Sequence, residues 1–231
     1  MSSRSRIELT PGYVLHHVPW RDTSRIYEVL TRDHGRLSLF ARGVRSPKSR
    51  LAGVLQPFVP VLLSYSIKGD AGTLSGAEPG NTDAGLPALR PTEAMAGFYL
   101  SELVMKLTVR HDPQVDIYHH YHRALCGMRA GSPVARELRL FEKRLLESLG
   151  YGLDLPFAEG VADGDPPGGY HPEGPISTAT LRALAAERLE GAAELEEARV
   201  LLRRALGACL EGRPLKTRKV AEEMRDMRRT D

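Results

Sequence analysis

The hydrophobic period of this chain changes once, and that change limits the fold more than any other feature. Up to about residue 80, apolar residues gather in short alternating or β-branched runs bounded by Pro, Gly and Asp. From Pro91 onward they recur every three to four residues. The first pattern predicts strands over 13–18, 24–31, 36–42, 58–66 and 73–77. Pro11-Gly12 and Pro19 bracket the first strand, and Pro57 opens the fourth. Asp33-His34-Gly35-Arg36 reads as a hairpin turn in which Gly35 supplies the positive φ. Five short strands in about 80 residues make a small antiparallel barrel; an OB-fold is the economical choice, and another five-stranded barrel fits the pattern nearly as well. The second pattern predicts helices. Thr92 caps one that runs to about Arg110 with Met95, Tyr99, Leu103 and Leu107 on one stripe. A second runs from Pro113 to Arg129, and a third from Ser132-Pro133 to Leu149, stopped by Gly150. Further helices follow over 177–189 and 194–210, and a basic one opens at Pro214. The expected class is α+β: an OB-fold barrel over 1–80, then an all-helical domain over 81–231 with a Gly/Pro-rich acidic loop at 151–175.

Composition narrows the function by exclusion. An apolar fraction of 42% in 231 residues supports a packed core. No apolar run reaches the roughly 18 residues of a membrane span, and the basic N-terminus is not followed by a signal-type apolar segment. A cytoplasmic protein is expected. Cys126 and Cys209 are far apart and form no CxxC pair, which argues against a zinc ribbon. His119, His120 and His122 invite a metal reading, but only Asp116 stands near them at metal-site spacing, so no metal is expected. The sequence holds no GxSxG, HExxH, P-loop or GxGxxG motif, and no carboxylate pair stands out as acid and base. We read a non-enzyme without a cofactor.

Charge says more when it is divided along the chain. Residues 1–80 carry 11 Lys and Arg against 6 Asp and Glu, and no acid occurs between Asp33 and Asp70. Within that window, Arg36, Arg42, Arg45, Lys48 and Arg50 fall on the third strand and the loop after it. A solvated charged loop is one reading; the absence of acids favours a polyanion-binding surface. If His34-Gly35 is a two-residue turn, Val29 pairs with Phe40 and Tyr27 with Arg42. One face then carries Arg25, Tyr27, Val29, Ser38, Phe40 and Arg42, mixing aromatic rings that can stack on bases with cations that hold phosphates. The other face carries Ile26, Leu30, Leu37, Leu39 and Ala41 as core, with Glu28 standing unexplained among them. Farther on, Arg136, Arg139 and Lys143 share a face of the third helix beside an apolar stripe of Leu138, Phe141, Leu145 and Leu149. That pattern fits an ordinary amphipathic helix, or a groove for an acidic, hydrophobic peptide tail.

Several blocks also form an ordered set. They are Pro19-Trp20-Arg21-Asp22-Thr23-Ser24, His34-Gly35-Arg36, Ala41-Arg42-Gly43-Val44-Arg45, Leu55-Gln56-Pro57-Phe58 and Tyr99-Leu100-Ser101-Glu102-Leu103, then the run from Leu145 to Gly152 and Pro214-Leu215-Lys216-Thr217-Arg218. In this order the chain resembles the RecO family of bacterial recombination mediators. The resemblance implies an N-terminal OB-fold followed by helices, binding of single- and double-stranded DNA, and annealing of complementary strands. It also implies help in loading RecA onto DNA coated by single-stranded DNA-binding protein (SSB), with RecR as partner. It places the SSB C-terminal tail in a pocket of the helical domain, where Arg139 matches an arginine. Many members carry a four-cysteine zinc module after the third helix; 151–175 has no cysteine, so the chain resembles the zinc-free branch. Two other readings remain at this stage: an RNA-binding OB protein, and an interaction adaptor that does not bind DNA.

Overall fold

The computed structural model describes residues 5–80, 85–153 and 176–230. The acidic loop expected at 151–175 lies outside the described residues from position 154 on. Strands β1 (Ser5–Trp20), β2 (Ser24–Thr31), β3 (Gly35–Ala41), β4 (Pro60–Lys68) and β5 (Ala71–Pro79) close into a barrel in the order β1-β2-β3-β5-β4. β4 returns to pair with β1, and all ladders are antiparallel except β3 with β5. This is the strand order of an OB-fold. β1 is far longer than its sequence suggested, because Pro11-Gly12 does not break it. The strand bulges between Ile7 and Thr10 and pairs with β4 on one side and β2 on the other. The strands approach closely at Gly12, where a Cβ would stand 2.9 Å from the Leu63 side chain and 3.1 Å from the Leu30 carbonyl.

The barrel interior is filled by Val14, Tyr27, Val29, Leu39, Leu63 and Tyr65, all 1% exposed or less. Burial pushes the Tyr65 phenol up to about 12. A single turn, α1 (Leu51–Val54), lies between β3 and β4. The helices are α2 (Pro91–Leu107), α3 (Val115–Arg129), α4 (Val134–Ser148), α5 (Thr178–Ala185), α6 (Ala192–Leu210) and α7 (Lys216–Thr230). Their ends follow local chemistry. Glu93 accepts from the Arg90 N–H at the start of α2, and Ser177 accepts from the Thr180 N–H at the start of α5. Gly150, at φ 79, ends α4, and the next N–H, of Tyr151, reaches back to the Leu146 carbonyl at 2.9 Å.

Packing groups the elements into two units, one of residues 1–130 with 215–231 and one of residues 131–214. In the first, α2 and α3 cover part of the barrel's outer wall. Tyr13 leaves β1 for this side, shares a 2.6 Å hydrogen bond with His122 and lies edge-on to the Tyr121 ring. The Tyr121 hydroxyl in turn meets Ser101 of α2 at 2.8 Å. α7 returns to the same unit. Its first N–H groups, on Lys216 and Thr217, and the Thr217 hydroxyl all donate to the Glu102 carboxylate, at 2.8, 2.9 and 2.7 Å. Burial alone would raise that carboxyl, but these bonds and the nearby Lys106 charge hold it below the usual carboxylate range. In the second unit, α4 and α5 pack on α6.

Candidate nucleic-acid interface

The β2–β3 hairpin decides which side chains reach solvent. Its last pair is Thr31 with Gly35, so the loop is three residues, Arg32 to His34, and not two. The Thr31 hydroxyl donates to the Gly35 carbonyl at 2.8 Å and accepts from the His34 N–H at 3.2 Å, and Gly35 sits at φ 67. The observed partners are Ile26 with Phe40, Tyr27 with Leu39 and Val29 with Leu37. This register differs from the expected one by an odd number of residues, which exchanges the faces. Tyr27, 1% exposed, belongs to the core, so its ring cannot serve as a stacking surface; Ile26 moves outward. Glu28, an anomaly in the expected register, faces outward and is bound by Arg36 at 3.0 Å and Arg110 at 2.5 Å.

The basic stretch from Arg36 to Arg50 divides into two parts. Arg36 is engaged internally: besides Glu28, it donates to the Thr108 carbonyl at 2.8 Å and the Thr108 hydroxyl at 3.2 Å. It ties the barrel to the end of α2. Arg42, Arg45, Lys48 and Arg50 are all exposed. The loop that carries three of them is held from below by Val44, which is fully buried. Turn bonds from Ser46 N–H to the Gly43 carbonyl and from Ser49 N–H to the Ser46 carbonyl, at 3.0 and 2.9 Å, fix its course. The Arg45 N–H donates to the Thr23 carbonyl at 2.8 Å, which joins this loop to the β1–β2 turn. Arg25 is half-buried at the barrel end, with its guanidinium 3.5 Å from the Tyr27 hydroxyl. Neighbouring His17 is held below its ordinary value by burial, then by the charges of Arg25 and His16.

Among the described residues, one wall of the barrel stays open beside this loop. Val18, Ile26 and Phe40 are cross-strand partners in one outward row. In the next row Trp20 pairs with Ser24, and Arg42 continues β3, its guanidinium 5.8 Å from the Phe40 ring centre. The open wall thus combines exposed apolar side chains with exposed cations. Sequence reasoning placed Ile26 in the core and gave Val18 and Trp20 no part in the surface. The available signal was Trp20 itself, a lone tryptophan beside a turn.

On α4, in the other unit, the three proposed cations are already partnered. Arg139, 7% exposed, makes two bonds to Glu142 at 2.7 and 2.6 Å. Lys143 pairs with Glu147 at 2.8 Å and Glu187 at 3.4 Å. Arg136 reaches the Glu187 carbonyl at 3.5 Å, and its buried Nε has no partner among the described residues. Glu187 also meets Arg144; burial pushes its carboxyl up, but the Arg144 bond and the Arg144 and Lys143 charges outweigh that and hold it low. Among the described residues no cluster of three or more His, Cys, Asp and Glu is placed to hold a metal, and no helix is long and apolar enough to cross a membrane.

A closed five-stranded barrel in this order, with an exposed basic loop and helices after it, defines an OB-fold protein. The chain belongs to the recombination protein O family. The family model for the recombination protein O N terminal matches residues 5–82, and that for the C terminal matches residues 90–219. The DNA repair protein RecO of Azoarcus sp. (strain BH72) is 37% identical over 246 residues, spanning 98% of this chain and all of that protein. RecO of Thiobacillus denitrificans is 36% identical over 249 residues, covering 98% of this chain and 96% of its own. RecO of Nitrosococcus oceani is 37% identical over 236 residues, with 95% of each chain covered.

Proposed function

We propose that this chain is a non-enzymatic DNA repair mediator that binds single- and double-stranded DNA and anneals complementary strands. With RecR, it helps RecA onto single strands coated by SSB, in the cytoplasm at the nucleoid. The observation that carries this reading is the set of four exposed cations, Arg42, Arg45, Lys48 and Arg50, on an OB barrel in a family of DNA repair proteins. Such cations hold phosphates without reading sequence and reduce the repulsion between two strands. Phe40, half-buried beneath Arg42, borders the same surface. In this reading residues 1–80 supply the DNA contact and residues 81–231 supply partner recognition. Arg136, Arg139 and Lys143 of α4 receive the acidic SSB tail. Their present carboxylate partners, Glu142, Glu147 and Glu187, occupy places that the tail's carboxylates would take.

The test is annealing of complementary DNA oligonucleotides without ATP. The native chain accelerates it and the Arg42→Ala, Arg45→Ala double variant does so less, with the effect shrinking as salt rises. Annealing unchanged by the double variant refutes the site. Competition between DNA and RNA of equal length separates this reading from RNA recognition, because a reader of the 2′-hydroxyl would prefer RNA.

A further inference from the structure

We propose that Trp20 is a stacking platform for an unpaired nucleobase, and that it gives the barrel a preference for single strands over duplex. The inference rests on the DNA-binding reading above and adds to it a subsite and a ligand class.

Trp20 is the only tryptophan of the chain, it ends β1, and it is 47% exposed. Among the described residues it is the one Phe, Tyr or Trp of the barrel strands that stands so far out. A tryptophan this exposed leaves a large apolar area in water, and Val18, 42% exposed on the same face, enlarges it. Among the described residues the indole has no ring contact, no cation above it and no partner for its N–H. The Phe40 ring, by contrast, has the Arg42 guanidinium beside it. The cross-strand partner of Trp20 is Ser24, too small to cover the indole. A flat π-surface on a sheet face, uncovered by its neighbours, fits a planar ligand.

The surroundings indicate which planar ligand. Arg21 follows directly in the turn and is exposed. The Arg45 side chain lies 3.4 Å from the Arg21 carbonyl, and its backbone N–H binds Thr23, so the basic loop and the tryptophan turn form one surface. Arg42 lies across the sheet, about two strand spacings or 10 Å away. A base on the indole therefore has phosphate-binding cations on more than one side. Asp22, exposed at the same turn, is the one acid there, and it disfavours a phosphate directly over the tip. Duplex bases are stacked on one another and offer no free face, so this contact serves single strands alone.

The experiment uses the full chain. Intrinsic fluorescence is recorded while single-stranded oligothymidylate, or a duplex of equal length, is added; anisotropy of labelled oligonucleotides measures binding independently. The expected result is strong quenching by oligothymidylate and little by duplex. Trp20→Leu weakens single-strand binding about 5- to 150-fold, the range of a lost base stack, and leaves duplex binding within about twofold. Trp20→Phe restores most of the loss, because it keeps a π-face where leucine keeps only apolar bulk. If DNA binds by anisotropy but the indole is not quenched, or Trp20→Leu binds as the native chain does, the platform is refuted while DNA binding stands. If no DNA binds at all, the proposed function itself fails, and the platform with it.

Discussion

Arg36 and Arg42 look alike in the sequence but have different surroundings, so their replacements should differ in effect. Arg36 is 12% exposed at its side chain, with three donors committed to Glu28 and Thr108. Arg36→Ala leaves the largely buried Glu28 with Arg110 alone and removes a charge-assisted donor from the Thr108 carbonyl. A fully buried pair broken this way costs about 3–5 kcal/mol, and hydrogen bonds to charged groups contribute about 1.5–3 kcal/mol each. Partial exposure and the surviving Arg110 contact reduce the loss to about 2–4 kcal/mol. Arg42 and Arg45 are exposed, and their joint replacement by alanine changes stability by less than about 0.5 kcal/mol. DNA affinity reverses the order. Each phosphate contact on a single strand contributes about 0.7 to the slope of log K against log salt, so the double variant lowers the slope by about 1.4. If affinity at molar salt is unchanged, binding near 0.1 M salt weakens about 25-fold. Arg36→Ala should leave the slope within about 0.3 of the native value, because that guanidinium is committed to Glu28 and Thr108. Denaturant titration measures the stabilities, and anisotropy at four or more salt concentrations gives the slopes. A slope change for Arg36→Ala as large as that for Arg42→Ala refutes the division.

Gly35→Ala places a Cβ 2.0 Å from the Asp112 carbonyl oxygen at φ 67, whereas Gly43→Ala at φ 64 meets open space; denaturation should show about 3 kcal/mol lost for the first and about 1 kcal/mol for the second. Glu102→Ala removes the acceptor of three bonds at the start of α7 and should cost about 2–3 kcal/mol, read by denaturation and by faster amide exchange in α7. Because the Glu102 carboxyl is held low in the folded chain, its stabilisation is complete above the ordinary carboxylate range and is lost as pH falls through the depressed folded value; Glu102→Gln should flatten that acid limb. Arg139→Ala strands the buried Glu142, so the tail proposal is better tested by replacing both with methionine: the pair variant should stay folded yet bind an SSB-tail peptide at least about tenfold more weakly, and unchanged binding by calorimetry rejects the contact.

The barrel and most helices were legible because each strand and helix carried its own period and its own stop. β2 was read at its observed ends, and Gly150 ended α4 as a C-terminal glycine should. β1 was read short because Pro11-Gly12 resembles a turn, while in the barrel the glycine serves a close strand crossing. The largest error came from one turn. A two-residue loop at His34-Gly35 and a three-residue loop closing at Thr31 are equally consistent with the local residues. They exchange Tyr27 for Ile26 on the outer wall. Glu28 carried the warning, since a lone carboxylate on an apolar face points to the wrong register. Of its two partners, Arg36 comes within reach only in the observed register, and Arg110 is 82 residues away, too distant for any local pattern to supply. The engagement of Arg36 was hidden for the same reason, because Thr108 enters only through packing.

The return of α7 to the barrel unit bears on how the chain is made. Residues 131–214 lie between the two segments of that unit, so the barrel, α2 and α3 leave the ribosome before the helix that caps onto Glu102 exists. At roughly 5–20 residues per second, that wait lasts on the order of ten seconds. Throughout it the Glu102 carboxylate lacks its α7 donors, and Phe98, partly exposed even in the finished chain, lacks whatever cover α7 gives to the groove it shares with Val220. A ribosome stalled before Leu215 would therefore present a nearly complete barrel unit with one open seam.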